Sequence, residues 1–124
     1  MNDQTTRVSE LREMMRAFVA EREWEKFHDP KNLACSILIE AGELMEHFQW
    51  LRSEELDQVR ADTVRLAAIG EELADVLAFV LSFANSLDID LSSTFAAKMK
   101  RNGAKYPADE FRGRFSRPVA DADS

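Results

Sequence analysis

Asp29-Pro-Lys-Asn-Leu33-Ala-Cys-Ser-Ile37-Leu-Ile-Glu40-Ala-Gly-Glu43-Leu-Met-Glu-His-Phe48-Gln-Trp50-Leu51 is the stretch from which the fold is read. Asp followed by Pro is an N-cap with proline in the first helical position. At roughly 100° per residue, Leu33, Ile37, Ala41, Leu44, Phe48 and Leu51 fall on one face. Leu38, Met45 and Ala34 occupy the adjoining face, and Ile39 lies on another. The spacing predicts a helix to about Leu51 that is apolar round most of its circumference, and so is central in the fold or assembly. The exception is a strip of Ser36, Glu40, Glu43 and His47, bordered by Glu46 and Trp50. Glu40 is set almost against the apolar face, where a carboxylate is costly unless neutralised, paired or bound to a cation.

The same pattern recurs further on. Leu73, Val76, Leu77, Val80, Leu81 and Ala84 form a helical stripe, with Glu72 turned toward it, Glu71 turned away and Asp75 one turn beyond. An acidic i,i+3 pair is ordinarily solvated helix surface. Here two such pairs flank apolar stripes, and neither has Lys or Arg at i+4. Clustered carboxylates without cations repel and protonate unless a divalent ion compensates. An all-oxygen set suits Mg²⁺, which keeps positions open for water and phosphates. Neither acidic helix carries the Glu-x-x-His of a ferritin-like di-iron site, and His47 reads as a packing or hydrogen-bonding residue.

Around these two helices the chain reads as all-α, with a first helix over 7–24 capped by Thr6. It carries Val8, Leu11, Met15, Phe18 and Val19 on one face. Arg52 to Asp57 is a polar break. A third helix is expected over 59–87 with a weak point at Gly70, since mid-helix glycine costs about 1 kcal/mol. A fourth is expected from Leu91 to Asn102, ending at Gly103. Phe27, Phe79 and Phe83 are expected in the core. Residues 1–107 read as one domain and 108–124 as a flexible arm.

The 124 residues carry 16 Lys+Arg against 23 Asp+Glu, a formal charge of −7. That balance argues against a sequence-blind nucleic-acid binder. No apolar run is long enough to span a bilayer. A polar N-terminus and the single Cys35 predict a cytoplasmic protein without disulfides. Against the acidic background, residues 98–105 carry Lys98, Lys100, Arg101 and Lys105 with no acid. Such a patch suits phosphates, although a helix C-terminus also favours cations. Trp24 and Trp50 are either core-edge anchors or flat surfaces for stacking a base.

Glu40-Ala-Gly-Glu43, 28 intervening residues, then Glu72-Leu-Ala-Asp75 resembles the E-x-x-E … E-x-x-D signature of the MazG-like all-α nucleoside triphosphate pyrophosphohydrolases. The dCTP pyrophosphatase group within them is the nearest. Phe18 to Leu33, Gly42 to Trp50, and Lys98-Met … Asn102 … Lys105-Tyr-Pro107 have counterparts there. The resemblance implies a four-helix bundle assembled as a homodimer or homotetramer, with sites built between subunits. It implies that Glu40, Glu43, Glu72 and Asp75 bind Mg²⁺ and carry catalysis, with one of them or Glu46 positioning the attacking water. It sets the base against Trp24 and Trp50, with Phe79 where a tyrosine is expected and Met15 where a histidine is expected. It gives phosphate and sugar to Lys98, Asn102, Lys105 and Tyr106. The implied reaction is (d)NTP + H₂O → (d)NMP + diphosphate, with dCTP or a modified dCTP as substrate. The alternatives are a non-catalytic helical nucleotide-binding or protein-interaction module, and a sister activity such as dUTP or phosphoribosyl-ATP hydrolysis.

Overall fold

A computed structural model describes residues 1–116. All regular structure among them is helical: α1 (Val8–Glu21), α2 (Pro30–Glu46), α3 (Leu56–Ala61), α4 (Thr63–Ser86), α5 (Leu91–Lys105) and α6 (Ala108–Phe111). Two 3₁₀ turns, Glu25–Phe27 and Ser53–Glu55, precede α2 and α3. The chain divides into two compact units, one from Met1 to Ile89 and one beginning at Asp90.

The start of α2 is as its sequence predicts. Asp29 accepts a hydrogen bond from the Asn32 backbone N–H at 2.9 Å, and Pro30 opens the helix. Its end comes earlier than expected, at Glu46 rather than Leu51. His47 and Phe48 donate to carbonyls three residues back, at 3.3 and 2.9 Å. These tighter bonds close the helix as a series of turns through Trp50.

The expected third helix is two. Asp62 caps α4 by accepting from the Arg65 N–H at 3.0 Å, and this cap sets the break between α3 and α4. Gly70 lies within continuous α4 and marks no weak point.

The first helix stops at Glu21, not Trp24. Trp24 N–H reaches Val19 C=O at 3.0 Å and Glu23 N–H reaches Ala20 C=O at 3.0 Å. This is a Schellman closure, with Glu23 at φ 52° in the position glycine usually takes. Its N-cap is Arg7, whose N–H donates to Glu10, while the Thr6 hydroxyl accepts from Asn2 instead.

In the first unit α4 packs chiefly on α2, and also on α1 and α3. The core is small: Val19, Leu33, Val59, Leu81 and Ala84 are buried, Leu33 to 1% exposure. Arg12 bolts α1 to the end of α4. Its Nε donates to Asn85 Oδ1 at 2.9 Å, its Nη1 to the Ile89 carbonyl at 2.5 Å, and Asn85 Nδ2 returns to the Arg12 carbonyl at 3.1 Å.

Much of the predicted apolar surface is uncovered. Leu38, Ile39 and Met45 on α2 and Leu73 and Leu77 on α4 are exposed. Phe27, expected in the core, is also exposed, whereas Phe79 and Phe83 are half-buried.

In the second unit Asp90 caps α5 through the Ser93 N–H at 2.9 Å. The helix runs through Gly103 to Lys105, against the expectation that Gly103 ends it. The stop is Tyr106, which precedes Pro107 and sits at ψ 69°, outside the helical region that proline disfavours for its predecessor. Of the expected arm, residues 108–111 form α6, and 117–124 lie outside the described residues.

Candidate active site and carboxylate centre

Glu40 and Glu43 lie one turn apart on α2, and Glu72 and Asp75 lie one turn apart on α4. Packing of the two helices converges Glu40, Glu43 and Glu72: one carboxylate oxygen from each lies within 4.8 Å of the others. Oε2 of Glu40 and of Glu72 is buried with no hydrogen-bond partner among the described residues. Ion pairs occur elsewhere, among them Arg16–Glu13, Arg22–Glu21 and Arg112–Asp109.

The electrostatic consequence falls on two of the three acids. Glu40 is pushed up to about 7, first because it shares a hydrogen bond with Glu43, then by burial and by the negative charges of Glu43, Asp75 and Glu72. Glu72 is raised as well, first by burial and then by the charge of Glu43. Asp75 adds its field to both yet contributes no oxygen to the three-carboxylate group. Glu46 is exposed and outside it.

Three converging carboxylates, two of which carry a buried oxygen without a partner, are a donor set suited to a hard divalent cation. Without one, protons must be shared. The residues present therefore fit Mg²⁺.

On the same unit a cavity of about 590 Å³ lies between α1, the first 3₁₀ turn and the facing ends of α2 and α4. Met15, Val19, His28, Pro30, Ser82 and Asn85 are among its walls. An aromatic series runs beside it. Phe18 meets Trp24 edge-on at 5.8 Å, Trp24 stacks with His28 at 6.4 Å, and His28 faces Phe79 at 6.4 Å. The Arg22 guanidinium lies 3.8 Å over the Phe18 ring. Trp24 is thus anchored by ring contacts, whereas Trp50 is 86% exposed.

The basic set belongs to the second unit. Lys98, Asn102 and Lys105 lie within α5, and Tyr106 is its C-cap. Lys105 is therefore helical, beyond the end expected at Gly103. The Tyr106 ring packs edge-on against Phe111 at 5.2 Å, and Lys105 Nζ is 5.3 Å from its centre.

Two of the cavity residues to which the sequence alone assigns no role are His28 and Ser82. Ser82 was within reach, since it lies seven residues beyond Asp75 on the same helical face. His28 gives no periodic signal, because it lies between helices.

Comparison with known proteins shows what the chain is similar to. The chain is 37% identical over 106 residues to dCTP pyrophosphatase 1 of Bos taurus, a span of 86% of this chain and 63% of the relative. It is 38% identical over 101 residues to dCTP pyrophosphatase 1 of Homo sapiens, covering 82% and 59% respectively. The chain therefore spans about six-tenths of the length of these curated relatives. A crystal structure of a pyrophosphatase from Archaeoglobus fulgidus superposes with a TM-score of 0.73 at 38% identity, over 86% of this chain and 98% of that one. The profile of the MazG-like family matches residues 35–116, a span that takes in both acidic pairs. The chain belongs to the MazG-like family.

Proposed function

We propose that this chain is a Mg²⁺-dependent nucleoside triphosphate pyrophosphohydrolase that converts a (d)NTP and water to the (d)NMP and diphosphate. dCTP or a base-modified dCTP is the preferred substrate. The observation that carries this reading is the convergence of Glu40, Glu43 and Glu72 with buried, unpartnered oxygens on two of them. The similarity to proteins named dCTP pyrophosphatase 1 supports the substrate class.

When bound, the cation supplies charge neutralisation to the phosphate chain and polarises it toward attack at the α-phosphorus. Glu40, Glu43, Glu72 and Asp75 would hold the cation, the first three through the oxygens that already converge. Glu40, which binds a proton up to about 7 in the free protein, releases it as the site is loaded. A carboxylate of the cluster or the neighbouring Glu46 orients the attacking water and accepts its proton. Trp24, Trp50 and Phe79 hold the base by stacking. Lys98, Asn102, Lys105 and Tyr106 engage phosphate and sugar.

The protein works as a homodimer or homotetramer in the cytoplasm. Uncovered Leu38, Ile39, Met45, Leu73 and Leu77 support association. No helix among the described residues is long and apolar enough to cross a membrane.

The test is a panel of ordinary and base-modified (d)NTPs with Mg²⁺, scored for diphosphate against orthophosphate. Diphosphate with the monophosphate is expected. Orthophosphate as the first product overturns the cleavage position.

A further inference from the structure

Outside the carboxylate centre, two polar atoms of the first unit are buried with no hydrogen-bond partner among the described residues. They are Ser82 Oγ and His28 Nδ1. Both residues border the same cavity of about 590 Å³, whose walls include Met15 and Val19. Ser82 is only 5% exposed.

A serine within a helix usually satisfies its hydroxyl on a carbonyl of the preceding turn. Ser86 does so, donating to the Phe83 carbonyl at 2.7 Å. Asn85, also on the cavity wall, is engaged on both sides by Arg12. Ser82 does neither, so the free protein can meet its need only through water held in the cavity. A ligand that brings its own polar edge replaces that water.

The position suits one particular kind of ligand. Ser82 lies two helical turns beyond Asp75, about 20° round the helix and ~10 Å along its axis. Asp75, whose charge acts on the carboxylate centre, lies on the same side of α4 as the cavity. Glu72 of the centre itself is ten residues from Ser82, about 80° round and ~15 Å along the axis, a span that an extended nucleoside triphosphate can bridge.

We propose that Ser82 is a specificity-determining residue. Its hydroxyl hydrogen-bonds the polar edge of the nucleobase while the phosphates reach the carboxylates. The proposal rests on the nucleotide reading given above. The hydroxyl can donate to a ring nitrogen or carbonyl oxygen, or accept from an exocyclic amine. A ligand without such an edge leaves it unmet, and sites built in that way discriminate strongly.

The test compares the full chain with Ser82→Ala and Ser82→Thr. The probes are dCTP and the same deoxyribose triphosphate carrying no base. Binding is followed by calorimetry, turnover by diphosphate release, and stability by thermal melts without ligand. Ser82→Ala is expected to bind dCTP about tenfold more weakly, the effect of one lost hydrogen bond. Its affinity for the base-less triphosphate stays unchanged. KM for dCTP rises with kcat retained, and the unliganded melting temperature is equal or higher because an unmet hydroxyl has gone. Ser82→Thr keeps the hydroxyl and keeps the preference for dCTP.

Unchanged dCTP affinity in Ser82→Ala overturns the assignment. So do equal losses for both ligands, the mark of a damaged fold, and a wild-type protein that does not distinguish the two. If the wild type binds dCTP but hydrolyses no triphosphate, the pyrophosphohydrolase reading falls, and the binding comparison still decides Ser82.

Discussion

Glu40 and Glu72 lie 32 positions apart in the chain, yet with Glu43 they bring carboxylate oxygens within 4.8 Å of one another, and each keeps one buried oxygen without a donor. Pro30 at the start of α2 and Ser82 near the end of α4 border one cavity, so the two helices run antiparallel. That arrangement brings two separate acidic strips to one place.

Removing one of these charges should separate function from stability. Glu43→Gln or Glu72→Gln is expected to lower turnover more than about 100-fold, beyond the loss typical for an outer-shell partner of a metal. Melting temperature should be unchanged or higher in Mg²⁺-free buffer, because a repelling charge is gone. Near-normal rates in both variants would sink the metal assignment.

The raised Glu40 carboxyl makes stability depend on pH in a defined direction. Its ordinary value of 4.5 is pushed up to about 7 in the folded chain, so the folded state holds the proton more tightly. The stability this provides is complete below about 4.5 and is lost as pH rises to about 7. Metal-free protein should therefore melt at a lower temperature at about pH 8 than at about pH 5.5, and saturating Mg²⁺ should restore most of the difference. The Mg²⁺ affinity itself should rise over the same interval, since the cation needs the carboxylate ionised. A flat melting profile in chelator would refute the coupling.

The tryptophans should respond differently to substitution. Stacking on an aromatic ring contributes about 1–3 kcal/mol per base, or about 5- to 150-fold in KM. Trp24→Ala should show this loss together with lower stability, because Phe18 and His28 pack on its ring. Trp50 is 86% exposed, so Trp50→Ala should weaken nucleotide affinity without lowering the melting temperature of the single chain. Steady-state KM beside thermal melts reads both.

Leu33 is the most deeply buried large side chain, at 1% exposure. Leu33→Ala should cost about 2–5 kcal/mol through lost transfer energy and the cavity left behind. Denaturant unfolding measures it. Mg²⁺ affinity of the protein that remains folded should be nearly wild-type, since Leu33 is two turns from Glu40.

The exposed leucines and Ile39 predict self-association. Light scattering should give a dimer or tetramer, and Leu38→Glu combined with Leu73→Glu should shift it toward monomer. A wild-type protein that is monomeric throughout would count against sites shared between subunits.

Much of this molecule is legible along the chain, because helical periodicity is a local property. The apolar stripes of α2 and α4, the Asp29-Pro30 start and the inward turn of Glu72 relative to Glu71 all follow from 100° per residue and capping chemistry. Helix ends are less legible. Glu23 at φ 52° ends α1 without the glycine that normally marks such a closure. Asp62 splits a stretch that periodicity joins, and Gly103 stays helical because the stop signal is Tyr106-Pro107.

By itself, the sequence determined the helical class, the two acidic pairs and the face on which each lies, since these depend only on residues within a few turns of one another. Only the tertiary structure decided which carboxylates meet, which oxygens lose water, and that Ser82 and His28 border one cavity. Those outcomes depend on how α2 and α4 pack, a relation between residues far apart in the chain that no local spacing encodes. The raised pKa values of Glu40 and Glu72 follow from the same cause: repulsion and burial act at a few ångströms, and that closeness exists only once the helices are side by side.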